Sequence, residues 1–437
     1  MKILLVGNGG REHALAWKIA QSPRLTKLYS TRGNCGIAKH AEIIDIAPSD
    51  VDGVVGFAVR EQMDLVVVAP ENPLAAGMID SLNAAGIRAF GPKKSAAEIE
   101  GSKVFAKNLM KKYRIPTAEY AVFDNYDSAL KYLQNSAFPI VIKAEGLALG
   151  KGVIIAQNLD EGCDALRQIM LDKAFGDAGD RIVIEEFLEG REITVLAFTD
   201  GKTIRPMPSS QDHKRVFDND RGLNTGGMGA FSPSRIYDDG MQEYCMKRIF
   251  EPTMRALNAE GREFRGALYF GLIATKSGVK VIEYNARFGD PETQVILPRL
   301  KTDIVDIFDA VIDGKLNTQA IQWENSAVCG VIMASGGYPQ QYETGKEIIG
   351  IDSAEAQGCR VFISGADTDG SGIVRTSGGR VLCVVAQGAD LASARALAYK
   401  GVGAINFENM HYRKDIAIDA SPNEAAAYTE IYNAENK

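Results

Sequence analysis

Short apolar runs rich in β-branched residues alternate with helical periodicity through the first hundred residues. Runs at 3–6 and 65–68 precede helices expected from about residue 12 and from about residue 74, and a further run at 89–90 ends at Gly91-Pro92. Such alternation requires crossover connections, and hence a doubly wound parallel sheet with helices on both faces, over residues 1–101. An amphipathic helix at about 102–112 follows and is broken by Ile115-Pro116, which reads as a linker. Strands at 140–144, 153–156 and 182–184 around one helix at 160–170 then predict a small antiparallel sheet within 102–190. Longer strands at 193–198, 268–275 and 279–285, with helices near 239–260 and 303–314, fill 191–325. Strands at 328–334 and 381–386 and a helix from about residue 391 make 326–437 a small strand-rich closing domain. The expected fold class is therefore α/β and α+β, multidomain.

The 437 residues, 46% hydrophobic and 24% charged, suffice for about three compact domains. With 49 Lys and Arg against 56 Asp and Glu, the net charge of -7 leaves no basic field for a polyanion, so nucleic acid is excluded as a partner. No apolar run approaches the ~20 residues of a membrane span, and the apolar stretch at the N-terminus is too short for a signal peptide. Six cysteines without a CxxC pair argue against a zinc site and a disulfide framework, and fit a cytoplasmic location.

Gly7-Asn8-Gly9-Gly10-Arg11-Glu12-His13 follows a strand and opens a helix, where free N–H groups and the helix dipole favour an anion. Gly9, Gly10, Arg11 and Glu12 form either a phosphate site or a tight turn. A dinucleotide fingerprint fails, because Glu12 replaces the third glycine and the second strand ends in Ser30-Thr31 without a ribose-binding acid.

Lys143 ends an apolar strand and precedes Glu145-Gly146-Leu147-Ala148-Leu149-Gly150-Lys151-Gly152, which runs directly into another strand. The segment is a hairpin tip, not a Walker loop, since the glycine spacing is one short and no helix follows. Glycines at 150 and 152 permit close approach of phosphate oxygens, while Lys143 and Lys151 supply charge. Downstream, the strand into Glu185-Glu186-Phe187-Leu188 offers hinge backbone groups for adenine, and Glu192 offers a carboxylate for ribose hydroxyls.

Between 281 and 294 the chain reads VIEYNARFGDPETQ. Glu283 and Asn285 lie two apart on a strand and share a face, with Ile282 and Tyr284 on the other. Two hard oxygen donors suit Mg²⁺ completed by water and phosphate. Arg287 would reach the same pocket were the strand to continue. The preceding strand carries no carboxylate, so few protein metal ligands are expected. A polar stretch holding Asp212, His213 and Lys214, followed by Asn224-Thr225-Gly226-Gly227-Met228, reads as a long functional loop. No Ser-His-Asp or Cys-His arrangement has local support.

This order of motifs resembles the ATP-grasp fold, which places that fold at the centre of the chain. RFGDPETQ at 287–294 is similar to the signature of the phosphoribosylamine–glycine ligase family. So are VGNGGREHA at 6–14, APENPLAAG at 69–77, GSKVFAK at 101–107, SQDHKR at 210–215, NTGGMGAFSP at 224–233 and RKDI at 413–416. Glu145 and Leu149 depart from the family's more usual KADGLAAGKG but keep charged and apolar character. The resemblance implies ligation of glycine to 5-phosphoribosylamine with ATP, through an acyl phosphate, in purine biosynthesis, with Mg²⁺ or Mn²⁺. It implies that Lys103 and Lys143 hold phosphates, Glu185 to Leu188 adenine, Glu192 ribose, and Glu283 and Asn285 the metal. Gly9, Gly10 and Arg11, with Glu71 and Asn72, are expected to meet phosphoribosylamine. Asp212, Lys214 and Arg287 are expected near glycine and the acyl phosphate. A monomer is expected, with transient contact to the upstream enzyme of the pathway. A carboxylase component, a formate-using transformylase, a catalytically silent nucleotide-binding protein and a nicotinamide oxidoreductase remain as alternatives.

Overall fold

The computed structural model describes residues 1–146, 152–418 and 428. Its first sheet has five parallel strands in the order Glu42–Ile44, Lys27–Thr31, Lys2–Val6, Leu65–Val68, Ala89–Phe90. Alternate residues of the two central strands serve different layers. Leu4, Val6, Val66 and Val68 pack with the helices Val51–Arg60 and Met78–Ala84, whereas Ile3, Leu5, Leu65 and Val67 pack with Gly10–Ile19 and Ile304–Ile312. The chain reverses its winding between Lys2–Val6 and Leu65–Val68, and a crevice opens beyond the carboxyl ends of strands at such a switch point. Gly7 to Arg11 and Glu71 leave those two strands side by side. The helix expected from about residue 74 is two helices, Glu71–Ala76 and Met78–Ala84, broken at Gly77, whose φ of 95° stops the first.

Ser102 caps the helix Lys103–Lys112 by accepting from the Phe105 N–H at 3.0 Å. Beyond it, a four-stranded antiparallel sheet runs Tyr120–Phe123, Ile182–Glu186, Ile140–Ala144, Val153–Ala156. This sheet has a core of its own, built from residues such as Leu133, Ile142, Leu166 and Ile184. Both connections into it rest on the next sheet. Pro116 O accepts from the Val281 N–H (2.8 Å), Thr117 Oγ1 donates to Val281 O (2.7 Å), and Lys280 Nζ donates to Glu186 (2.8 Å). That next sheet is Ile204–Pro206, Arg191–Asp200, Arg265–Thr275, Gly278–Asn285, again antiparallel.

The polar stretch expected as one loop is instead four short strands. Arg215–Phe217 and Arg221–Asn224 form a hairpin, while Gln211–Asp212 and Gly229–Ser232 join the sheet made by Ala327–Ser335, Arg380–Gly388, Arg360–Ile363 and Met410–His411. The last sheet thus spans the boundary placed at residue 326. Among the described residues, no helix is long and apolar enough to cross a membrane.

Phe90, Phe198, Phe288 and Phe308, from four separate segments, meet with ring centroids 4.2 to 6.5 Å apart and lock the parallel sheet to the large antiparallel one. Phe198 is fully buried there. Phe198→Ala should destabilise the protein by about 3–5 kcal/mol, read as a lower urea midpoint.

Candidate active site

One cavity of about 380 Å³ lies where the four larger sheets converge. Of the expected residues, Lys103, Lys143, Gly152, Glu185, Glu283 and Asn285 line it, as do Arg11, Glu71, Asp212, Lys214, Thr225, Gly226 and Arg287. Glu192 borders a small adjoining cavity with Lys214 and Glu283. Gly150 and Lys151 lie outside the described residues.

At one end, Glu185 is buried between two lysines, with Lys107 Nζ at 2.8 Å and Lys143 Nζ at 3.0 Å from its carboxylate. Lys107 was not anticipated from the sequence, although it lies one helical turn from Lys103 on the same face. Burial pushes its ammonium down to about 8, with Glu185 resisting. Glu186 turns the other way, to Lys280, Phe187 is exposed, and neither they nor Leu188 line the cavity. Lys103 Nζ donates to Gly146 O at 3.0 Å, which holds the base of the glycine hairpin.

In the middle, the strand Gly278–Asn285 carries Glu283 and Asn285 to the cavity. A β-bulge here sets Leu272 opposite Val281 but Gly271 opposite Glu283, and Ile282 and Tyr284, both expected to face away, line the cavity too. Gly271 leaves room for the carboxylate, since a Cβ there would stand 3.0 Å from Glu283 Cγ. Burial alone would raise the Glu283 carboxyl, but Lys214, Lys143, Lys103 and Arg287 outweigh it and hold the group below its ordinary value. An ionised carboxylate beside an amide oxygen is a hard donor set that fits Mg²⁺ or Mn²⁺. Among the described residues no cluster of three or more acidic, His or Cys side chains forms a closed metal cage.

The far end is built from the switch-point segments. Glu71 lies between Arg287 (3.4 Å) and Arg11 (3.7 Å), and Glu100 holds Arg287 from the other side at 3.1 Å. Burial opposes ionisation of Glu71, yet Arg287 and Arg11 hold it down at about 2. Glu12 is turned back as a cap, accepting from the Gly9 N–H (2.7 Å) and pairing with Arg11 (2.6 Å), so the helix already carries its own anion. Gly9, Gly10 and Glu12 do not line the cavity; Gly10 instead lets Ser364 approach, since a Cβ would stand 2.3 Å from its Oγ. Asn72 is exposed beside Glu71, and Met228 is fully buried.

Asp212 is buried and 3.4 Å from Lys214 Nζ, with its Oδ1 unpartnered. Burial pushes its carboxyl up to about 7; Lys214 pulls it back and nearby Glu292 adds to the rise. Glu292 accepts from the Tyr269 hydroxyl at 3.0 Å. Gly227, at φ 111°, leaves space for Asp212, because a Cβ would stand 2.6 Å from Oδ1. His213 packs edge-on against Phe231 and does not line the cavity. Two further wall residues come from the last sheet and its loops. Arg380 donates to Gly226 O (2.6 Å) and pairs with Asp290 (3.1 Å), and Tyr338 accepts from the Gly226 N–H (3.1 Å).

The chain matches three family models of phosphoribosylglycinamide synthetase: the N domain over residues 1–100, the ATP-grasp (A) domain over 101–293 and the C domain over 328–419. It is 47% identical to the phosphoribosylamine–glycine ligase of Neisseria meningitidis serogroup A over 418 residues, 95% of this chain and 99% of that one. The chain belongs to the phosphoribosylamine–glycine ligase family. The Escherichia coli K12 enzyme of the same name is 47% identical over 95% of this chain and 98% of its own length. The crystal structure of phosphoribosylamine–glycine ligase from Thermotoga maritima superposes with a TM-score of 0.83 at 29% identity, covering 95% of this chain and all of that one. A biotin carboxylase domain dimer from the Hydrogenobacter thermophilus 2-oxoglutarate carboxylase, solved with MgADP, ADP and bicarbonate, has a similar fold at a TM-score of 0.71 and 15% identity, covering 94% of this chain and 91% of that one.

Removing the Glu283 carboxylate by Glu283→Ala should lower turnover about a hundredfold or more, at least the scale on which supporting residues of metal sites act. The unfolding midpoint should move little. Wild-type turnover at saturating Mg²⁺ would show that Glu283 holds no metal.

Proposed function

We propose that this cavity joins glycine to 5-phosphoribosylamine, with ATP converted to ADP and phosphate, by way of glycyl phosphate. The observation that carries the reading is the continuity of one cavity from Lys103, Lys143 and Glu185, through Glu283 and Asn285, to Arg287, Arg11 and Asp212. A carboxylate at neutral pH is a poor electrophile, so a glycine oxygen first attacks the γ-phosphorus and ADP departs. The amine of phosphoribosylamine then attacks the acyl carbon, and phosphate leaves with the C–O bond electrons. Such chemistry depends on positioning and on neutralising charge.

Lys103 and Lys143 face the nucleotide phosphates, and backbone groups from Glu185 to Leu188 face adenine, with Glu192 toward ribose. Glu283 and Asn285 hold Mg²⁺ or Mn²⁺, which when bound neutralises phosphate oxygens. Arg287, kept in place by Glu71 and Glu100, neutralises the glycine carboxylate or the acyl phosphate. Asp212 meets the glycine ammonium with its unpartnered Oδ1, Lys214 stands beside it, and Asn224 to Met228 back this wall. Arg11 and Glu71, carried by Gly9, Gly10, Glu12 and Asn72, meet phosphoribosylamine at the switch point, where a mixed charge suits an amine and a phosphate.

Two measurements test this. Phosphate release should require ATP, a divalent cation, glycine and phosphoribosylamine together, with a product mass matching glycinamide ribonucleotide. Release with another acid or amine would retain the fold and remove the substrate assignment. Second, Asp212 titrates at about 7 and only its ionised form attracts an ammonium, so KM for glycine should rise as pH falls below 7 and level off above it. A flat KM for glycine between pH 6 and 8 would remove Asp212 from that role.

A further inference from the structure

Lys107 is only 2% exposed, lines the cavity and has no part in the roles assigned so far. Its ammonium is fixed on two sides. It pairs with Glu185 at 2.8 Å and donates to Thr117 Oγ1 at 2.8 Å, and Thr117 is itself fastened to Val281 O at 2.7 Å. Lys143 has no comparable second anchor: it stands 3.0 Å from both oxygens of the same carboxylate, and its other partner, Ile282 O, is at 3.4 Å. One buried carboxylate therefore carries two cations, of which one is anchored to the framework and the other holds chiefly to that carboxylate.

This asymmetry matters once a nucleotide arrives. For Lys143 to turn onto a phosphate oxygen it must loosen its hold on Glu185. Were Lys143 the sole partner, that movement would strand a buried carboxylate, and leaving a buried charge uncompensated costs far more than a surface ion pair returns. With Lys107 in place the carboxylate stays paired while Lys143 moves.

We propose that Lys107 is the resident counter-ion of Glu185, a positioning residue that releases Lys143 for the nucleotide phosphates. The inference rests on the nucleotide lying against Lys143, as set out above.

A binding cycle on the full chain tests it, using the magnesium complex of the non-hydrolysable analogue adenylyl imidodiphosphate as the calorimetric probe. Lys107→Met pins Lys143 to Glu185 and should weaken binding about tenfold or more, whereas Lys107→Arg, which keeps the charge, should stay within about threefold of wild type. Adding Glu185→Gln to Lys107→Met removes the carboxylate that holds Lys143 back. The double variant should recover to within about threefold of wild type, a non-additivity that loss of packing alone does not produce. Binding by Lys107→Met within about twofold of wild type would overturn the proposal, as would a double variant no better than the single one. Should Lys107→Met fail to fold, Lys107→Gln takes its place in the cycle with the same two outcomes. Undiminished binding by Lys143→Met would instead overturn the placement of the nucleotide, and this inference with it.

Discussion

Glu185 is buried between two ammonium groups, Glu71 between two guanidiniums, and Glu283 among three lysines and an arginine. No single segment supplies such a set. Lysines at 103 and 107 come from the linker helix, Lys143 and Glu185 from the small sheet, Glu283 from the large one, and Arg11 and Glu71 from the parallel sheet. Because a buried charge is tolerated only when it is met by its opposite, each unit of the fold is incomplete without its neighbours. The hydrophobic contacts that bring the units together, such as the Phe90, Phe198, Phe288 and Phe308 cluster, act in concert with this demand.

The same arrangement sets the small sheet apart from the other units. The parallel sheet, the large antiparallel sheet and the last sheet share extended cores, whereas the small sheet has a core of its own and meets the rest through its two chain connections and through polar contacts such as Lys107 with Glu185 and Lys103 with Gly146 O. Those connections rest on Val281 and Lys280, within three residues of Glu283.

Much of this was readable from residue order. The β-branched runs at 3–6 and 65–68 became the central parallel strands, and Lys143, Glu185, Glu283 and Arg287 came to one cavity. What escaped did so for physical reasons. The strands Gln211–Asp212 and Gly229–Ser232, two and four residues long, are too short to show a period of two, so their stretch resembles a loop. The bulge at Ile282 depends on Gly271 across the ladder, a partner that strand periodicity does not name. Arg380 and Tyr338 sit in no local motif and reach the cavity only because the last sheet closes over Gly226. Lys107, by contrast, was one helical turn from Lys103 and was open to discovery by spacing alone.

The last sheet also bears on where the chain can be divided. Its strand Ala327–Ser335 pairs on one edge with Gly229–Ser232, and through that strand with Gln211–Asp212, both encoded a hundred residues upstream. Cutting the chain between these regions would strip the terminal piece of two strands and leave a bare ladder edge, an invitation to pair with other chains. The terminal region therefore does not complete its own sheet, and the strands that finish it also carry Asp212.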